Sequence, residues 1–240
     1  MLPALLTVVA CALIAGGAYV SSEILGLAVF VVQLALALNW RNLLRTPGGR
    51  GVELLAALTS GAADILLIKY AGDSGLTAAL GVMGLVVPLS FLLQVLGRNA
   101  RPGAVADISS TVMLCALSLM CAGWIALKLS QAGPDGVLIA VSAVGAAAIV
   151  ASLLDPRVIG LVLGVAAGTG VGLAVAWMVN GPSPGRAAAI AAASALMCAV
   201  GVRFRRVSGR SARTAVLTTA ALPLALAAPV AYLVAQVVVG

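Results

Sequence analysis

The sequence has few charged residues, few aromatic residues and no histidine. Charged residues make up 9% of the 240 residues and aromatic residues 4%, whereas about 25% of an ordinary soluble domain is charged. Such a composition leaves too little polar surface for a separate soluble domain. The basic stretches are not interleaved with aromatic residues in the manner of single-strand binding grooves. We therefore predict that nucleic acid is not a partner.

Metal-ligand patterns and catalytic signatures are also missing. All four cysteines lie inside apolar runs and none forms a Cys-x-x-Cys pair, which is the usual spacing of a structural zinc site. The sequence contains no Walker motif, no His-Glu-x-x-His, no Gly-x-Ser-x-Gly and no clustered Asp-x-x-Asp. We predict no metal site, no cofactor and no catalytic residue.

Apolar residues, in contrast, make up 62% of the chain. They form successive runs near the roughly 20 residues that a transmembrane helix needs. The pattern predicts an all-α, polytopic integral membrane helix bundle with about nine transmembrane helices, forming a single transmembrane domain over residues 1–240. The first run lacks the charged start of a secretory signal and is expected to be a retained span. The first three spans are predicted at Leu2 to Val20, Ile24 to Trp40 and Gly51 to Gly72. The fifth span is expected to be capped at its start by Asp107, Ser109 or Ser110. The last span is predicted to begin at Thr214, and its two prolines, Pro223 and Pro229, leave open whether it contains a re-entrant turn.

Positive charges predict the orientation of these spans. The net charge is +7, and eleven of the fourteen Lys and Arg residues fall in alternate loops. The positive-inside rule then places the N-terminus in the cytoplasm of a cell whose plasma (inner) membrane the chain spans. The most basic loop is expected to contact anionic lipid or phosphate. Its arginines are Arg203, Arg205, Arg206, Arg210 and Arg213.

The third span carries ionisable side chains far from its ends. Glu53, Ser60 and Asp64 fall on one face of a helix with 3.6 residues per turn. A carboxylate at the depth of Asp64 costs about 3 kcal/mol on insertion scales, so it is expected to face protein or water. Two interpretations stay open, and the first of them, a structural role, is favoured. Asp64 either accepts hydrogen bonds from Gln33 or Ser90 and fixes the bundle, or lines an aqueous cavity as a proton or cation site.

A later span has glycine at every fourth position. Gly160, Gly164, Gly168 and Gly172 form one stripe along the helix, and small residues in such a stripe let another helix approach closely. The stripe predicts a contact with another helix, either in this chain or in a second copy.

Three segments resemble a known family. They are ALALNWRNLLRTPG after the second span, GRNARPGAVADISSTV at the fifth and DPRVIGLVLG at the seventh. Their order is similar to that in phosphatidate cytidylyltransferases (CDP-diglyceride synthases). The resemblance implies a multi-helix membrane fold and an ancestral activity on CTP and phosphatidate. The family's catalytic signatures are not matched, since only Asp155 corresponds to one, followed here by Pro156. The resemblance therefore implies a non-catalytic relative.

These observations favour one function and leave two others open. The favoured function is that of a non-catalytic accessory or scaffold protein in envelope or lipid metabolism, whose partners are membrane lipids and a membrane protein or a second copy of the chain. The first alternative is a lipid-phosphate enzyme of the cytidylyltransferase kind. The second alternative is a small transporter that uses Asp64 as its proton or cation site.

Overall fold

The chain folds into α-helices throughout the part that the structure describes. The computed structural model describes residues 2–38, 40, 43, 51–70, 73–96, 104–154, 159–207 and 216–239, and these ranges contain no strand. The helices are α1 (Leu2–Val20), α2 (Ser22–Ala37), α3 (Gly51–Lys69), α4 (Asp73–Leu96), α5 (Ala104–Cys121), α6 (Gly123–Leu129), α7 (Gly133–Leu153), α8 (Ile159–Met178), α9 (Pro184–Val207) and α10 (Val216–Val239).

Most of these helices have the length and composition of membrane spans. Seven apolar stretches are long enough to cross a bilayer, and one of them, Val105–Leu129, joins α5 to α6. In the described ranges there are two shorter apolar segments, namely α2 (Ser22–Ala37) and Thr77–Leu93, which is part of the 24-residue α4. A bilayer core about 30 Å thick requires roughly 20 helical residues. The fold is thus an all-α polytopic membrane helix bundle, as predicted, and its described part contains about nine apolar stretches.

Helix boundaries differ from the predicted spans at two places. The second span ends at Ala37 instead of Trp40, because Leu38 has extended backbone angles (φ −60°, ψ 126°). The fifth begins at Ala104, before all three predicted capping residues. The cap prediction is therefore wrong, since Asp107 and Ser110 are helical residues with buried side chains.

The last span is one continuous helix. Pro223 and Pro229 both lie inside α10, so the re-entrant turn that the sequence left open does not form. A proline inside a membrane helix is tolerated where neighbouring groups compensate the interrupted backbone bonding. α10 is also held by hydrogen bonds to other helices, since Thr7 of α1 donates a bond of 2.8 Å to the carbonyl oxygen of Ala220. The Thr218 hydroxyl donates to the carbonyl oxygen of Leu38 at the end of α2.

α10 is the central helix of the bundle. It packs against α1, α2, α5, α6, α7 and α9, whereas α4 packs on α3 and α5, and α8 packs on α7 and α9. The sequence of α10 suits this position, because it has no charged residue and consists largely of Ala, Leu, Val and Thr. Small residues permit close approach of several neighbours at once. A similar composition occurs in α8, so composition alone does not select the central helix.

The glycine stripe of α8 lies against two helices of the same chain. All four glycines are buried. A Cβ atom built on Gly168 would lie 2.6 Å from the carbonyl oxygen of Ala143 in α7 and 2.8 Å from the Cβ of Ala195 in α9. One built on Gly172 would lie 2.5 Å from the Cβ of Ala191. Of the two predicted alternatives, the structure has the contact within one chain, where the stripe sets the spacing of α7, α8 and α9.

Candidate functional site

Asp64 lies on the buried face of α3. This face consists of Leu55, Ala56, Thr59, Ser60, Ala63, Asp64 and Leu67, a spacing of three and four residues that keeps side chains on one side of a helix. Asp64 is 4% exposed. Its Oδ1 accepts a hydrogen bond of 3.1 Å from Nε2 of Gln33 in α2, which is 1% exposed. Ser90, the other partner considered, instead donates 2.7 Å to the carbonyl oxygen of Val87.

The Asp64–Gln33 pair leaves two oxygen atoms without partners. Oδ2 of Asp64 and Oε1 of Gln33 are both buried and accept no hydrogen bond. In the described ranges we find no ion pair to Asp64 either. An unpartnered buried polar atom costs about 1–3 kcal/mol, and an unpaired buried charge costs more. The pair is therefore a polar site in the interior of the bundle with two hydrogen-bond acceptors unused.

The other polar residues predicted on α3 do not join this pair. The Ser60 hydroxyl donates 3.2 Å to the carbonyl oxygen of Ala57 in its own helix. Glu53 lies in the first turn of α3, three turns from Asp64, or about 16 Å along the axis. Nζ of Lys69 lies 5.8 Å from the ring centroid of Tyr70, a cation–π contact at the end of the helix. Asp64 is thus separated from both charged residues of its own helix.

A second polar face, on α5, was missed by the sequence analysis. Asp107, Ser110, Thr111 and Ser118 are all buried. Oδ1 of Asp107 and Oγ of Ser118 have no hydrogen-bond partner, whereas Oγ of Ser110 accepts 3.0 Å from Nε1 of Trp40. The spacing of residues 107, 111 and 118 follows the helical period. This helical period could have predicted the buried polar face, but Asp107 and Ser110 were interpreted as helix caps.

The polar faces of α3 and α5 pack against each other. Cys115 of α5 lies close to the side chain of Thr59 of α3, and Cys121 lies within electrostatic range of Asp64. Since the later residue of α3 lies near the later residue of α5, the two helices run in the same direction. The buried polar side chains of α5 extend from Asp107 to Ser118, over about 16 Å of that helix.

The interface becomes apolar beyond Asp64. A Cβ built on Gly26 of α2 would lie 2.7 Å from Cδ1 of Ile68 and 4.0 Å from Cδ1 of Ile125 in α6. Leu67 and Ile125 are buried here as well. These side chains offer no hydrogen-bonding group. Trp124 of α6 is also buried, and its Nε1 has no hydrogen-bond partner. The surroundings of Asp64 on the Lys69 side are thus largely apolar, with one unpartnered donor in α6.

The predicted lipid contact is described only in part. Arg203 is exposed near the C-terminal end of α9. The side chains of Arg205 and Arg206 and the whole of residues 210 and 213 lie outside the described part, as does Asp155. Within the described ranges no group of three His, Cys, Asp or Glu residues could hold a metal ion.

Comparisons of the chain with protein-family models, with curated proteins and with solved structures found no match. The resemblance to phosphatidate cytidylyltransferases stays a prediction. The candidate site is accordingly defined by its geometry. A carboxyl and an amide, both buried and each with one unused oxygen, form an arrangement that can bind a proton or a cation.

Proposed function

We propose that the chain is a small transporter of the plasma (inner) membrane, with its N-terminus in the cytoplasm, in which Asp64 is the proton or cation site. The observation that supports this proposal is the pair of unpartnered oxygens on Asp64 and Gln33, held in the interior of a membrane bundle. Ionisable residues inside membrane segments are expensive, and they commonly mark ion or proton pathways.

The choice of a carboxyl at position 64 supports transport over a purely structural role. An amide there would make the same hydrogen bond to Gln33 and would carry no charge. Interhelical clamps in membranes are usually built from such neutral groups. The carboxyl adds only the ability to exchange a proton or bind a cation. The buried polar side chains of α5 favour exchange from the Asp107 end, which the proposed orientation places at the cytoplasmic side.

A flux measurement tests this proposal. Inside-out vesicles that contain the protein are energised by respiration, and their pH gradient is followed with a fluorescent amine. A panel of monovalent cations, divalent cations and small organic solutes is then added. We expect at least one addition to dissipate part of the gradient beyond its effect on vesicles without the protein. Identical responses in both vesicle preparations across the panel would contradict transport.

The second candidate function is the accessory or scaffold role, which one feature of α4 favours. Among the described helices its main packing partners are α3 and α5. Cβ atoms built on Gly81 and Gly84 would meet nothing within 4 Å, so a small-residue surface faces outward where another helix could dock. In this role the partner is a membrane protein of envelope or lipid metabolism or a second copy, and the arginines at residues 203–213 contact anionic lipid.

Crosslinking tests the scaffold role. A cysteine introduced at Gly84 should crosslink to a specific membrane protein, or to a second copy, more efficiently than one introduced at Gly170. Gly170 is a suitable control because it is also exposed and also has nothing within 4 Å. Equal crosslinking at both positions would indicate random collisions in the membrane and would contradict a docking surface on α4.

A further inference from the structure

The two unpartnered oxygens at the Asp64 site belong to groups that already share one hydrogen bond. Gln33 donates through Nε2 to Oδ1 of Asp64, and the second oxygen of each group is buried without a partner. Both oxygens are acceptors when the carboxyl is ionised, so they cannot satisfy each other in that state. The pair therefore has one hydrogen bond formed and two oxygen atoms still without a hydrogen-bond partner.

One proton satisfies both atoms. A proton on Oδ2 of Asp64 turns that oxygen into a donor. Oε1 of Gln33 is an acceptor without a partner, and it belongs to the amide that already bonds the same carboxyl group. The acid and the amide then form a cyclic pair, with Nε2–H donating to Oδ1 and Oδ2–H donating to Oε1. The same proton removes the charge, which is the costly component of a carboxylate in this environment.

A metal cation fits the same atoms less well. Calcium takes six to eight oxygen ligands and magnesium requires a nearly ideal octahedron. Asp64 and Gln33 supply two unused oxygens, and in the described part of the chain no cluster of three His, Cys, Asp or Glu residues exists to complete a shell. The donor set therefore matches a proton better than a divalent cation.

Few other titratable groups lie near the pair. α3 packs on α2, α4, α5 and α6. From α5 the thiol of Cys121 lies within electrostatic range of Asp64. The remaining groups with described side chains on the packed helices are Glu23 of α2, Asp107 and Cys115 of α5, and Lys128 of α6, with Glu53 and Lys69 on α3 itself. Lys128 interacts with Glu23.

We infer that Asp64 is a proton-binding residue that shares its proton with Gln33 in a cyclic carboxylic acid–amide pair. The inference rests on the proposed transport function only for its physiological use, and it deepens that function by naming the ion as a proton. In this arrangement Gln33 is a positioning residue, because it holds both the carbonyl oxygen and the hydroxyl of the acid. Release of the proton leaves Oδ2 and Oε1 as two acceptors that cannot bond each other, so one of the two hydrogen bonds of the cyclic pair is lost when Asp64 ionises.

Infrared spectroscopy of the purified protein at neutral pH tests the inference directly. The spectrum of the Asp64→Asn variant is subtracted from that of the wild type. We expect a positive carbonyl-stretching band of a protonated carboxylic acid, unchanged by added sodium or magnesium salts. A carboxylate band in its place would overturn the inference, and so would loss of the acid band when either salt is added.

A second variant tests the sharing. Gln33→Met keeps a long side chain but removes both hydrogen-bonding groups. The acid band should move to higher frequency, because the carbonyl oxygen loses its donor and the hydroxyl loses its acceptor. An unshifted band would show that the proton is not shared with Gln33.

A dicyclohexylcarbodiimide experiment needs no variant. This apolar reagent adds to protonated carboxyl groups in membranes, and mass spectrometry should find the adduct on Asp64. Asp135, whose Oδ1 accepts 2.6 Å from the Tyr19 hydroxyl at the helix ends, serves as the unmodified control. Absence of the adduct on Asp64 would contradict a protonated carboxyl.

These outcomes separate the two proposals. An acid band and an adduct without any flux would retain the proton site and refute transport. Flux together with a carboxylate band would retain transport and refute the proton site.

Discussion

Gly168 offers the sharpest test of the packing in this bundle. Its backbone is confined from two sides, since an added Cβ would lie 2.6 Å from the carbonyl oxygen of Ala143, 3.1 Å from the Cβ of Ala147 and 2.8 Å from the Cβ of Ala195. Contacts below 3 Å between such atoms require something to move. α8 cannot retreat from α7 without approaching α9, because the two helices contact the same glycine. We therefore expect Gly168→Ala to force all three helices apart.

The expected cost follows from this geometry. Overpacking of a filled interior costs about 1–3 kcal/mol. The carbonyl oxygen and the two alanine Cβ atoms contacted here cannot rotate away as the end of a flexible side chain would. Gly170→Ala is the matched control, since a Cβ there meets nothing within 4 Å. That variant should be neutral or stabilised by up to about 1 kcal/mol, as glycine is a poor helix former.

Reversible unfolding in mixed micelles, with increasing denaturing detergent, measures both variants against the wild type. The prediction is a lower free energy of unfolding for Gly168→Ala and an unchanged or higher one for Gly170→Ala. Equal free energies for the two variants would refute the conclusion that the glycine stripe sets the helix spacing.

Three further predictions concern topology, catalysis and one buried hydrogen bond. Ser208→Cys in intact cells should resist a membrane-impermeant thiol reagent, because the basic loop is proposed to be cytoplasmic; efficient labelling would reverse the orientation. The purified protein should not condense CTP with phosphatidic acid, and magnesium-dependent turnover above background would revive the enzyme alternative. Trp40→Phe should lower the free energy of unfolding by about 1 kcal/mol, because Nε1 of Trp40 donates 3.0 Å to Oγ of Ser110. Trp177→Phe, at an 87% exposed position, should leave that free energy unchanged.

Much of the fold follows from the sequence alone. Apolar run length predicts the membrane helices, and the predicted first span, Leu2 to Val20, agrees with α1 at both ends. Small and polar residues also indicate contacts. The glycine stripe of α8 lies in a helix contact, and Gln33, one of two partners considered for Asp64, is its hydrogen-bond donor.

The missing parts have identifiable physical causes. Local capping rules misplaced the start of α5, because Asp107 and the two serines after it have the composition of a cap although the helix begins earlier. Their common buried face then went unnoticed. The sequence also does not predict which helices contact one another, because an apolar side chain packs equally well against lipid and against protein. The central position of α10 depends on those neighbours.

The central claim is that position 64 needs a carboxyl and not merely a hydrogen bond. The most direct measurement compares the Asp64→Asn variant with the wild type in both unfolding free energy and flux. Asparagine is isosteric and can complete the pair with Gln33 through Nδ2, so stability should stay within about 1 kcal/mol of the wild type. Since the amide cannot exchange a proton, the flux should disappear. A stable Asp64→Asn protein with wild-type flux would contradict the account and assign Asp64 a structural role.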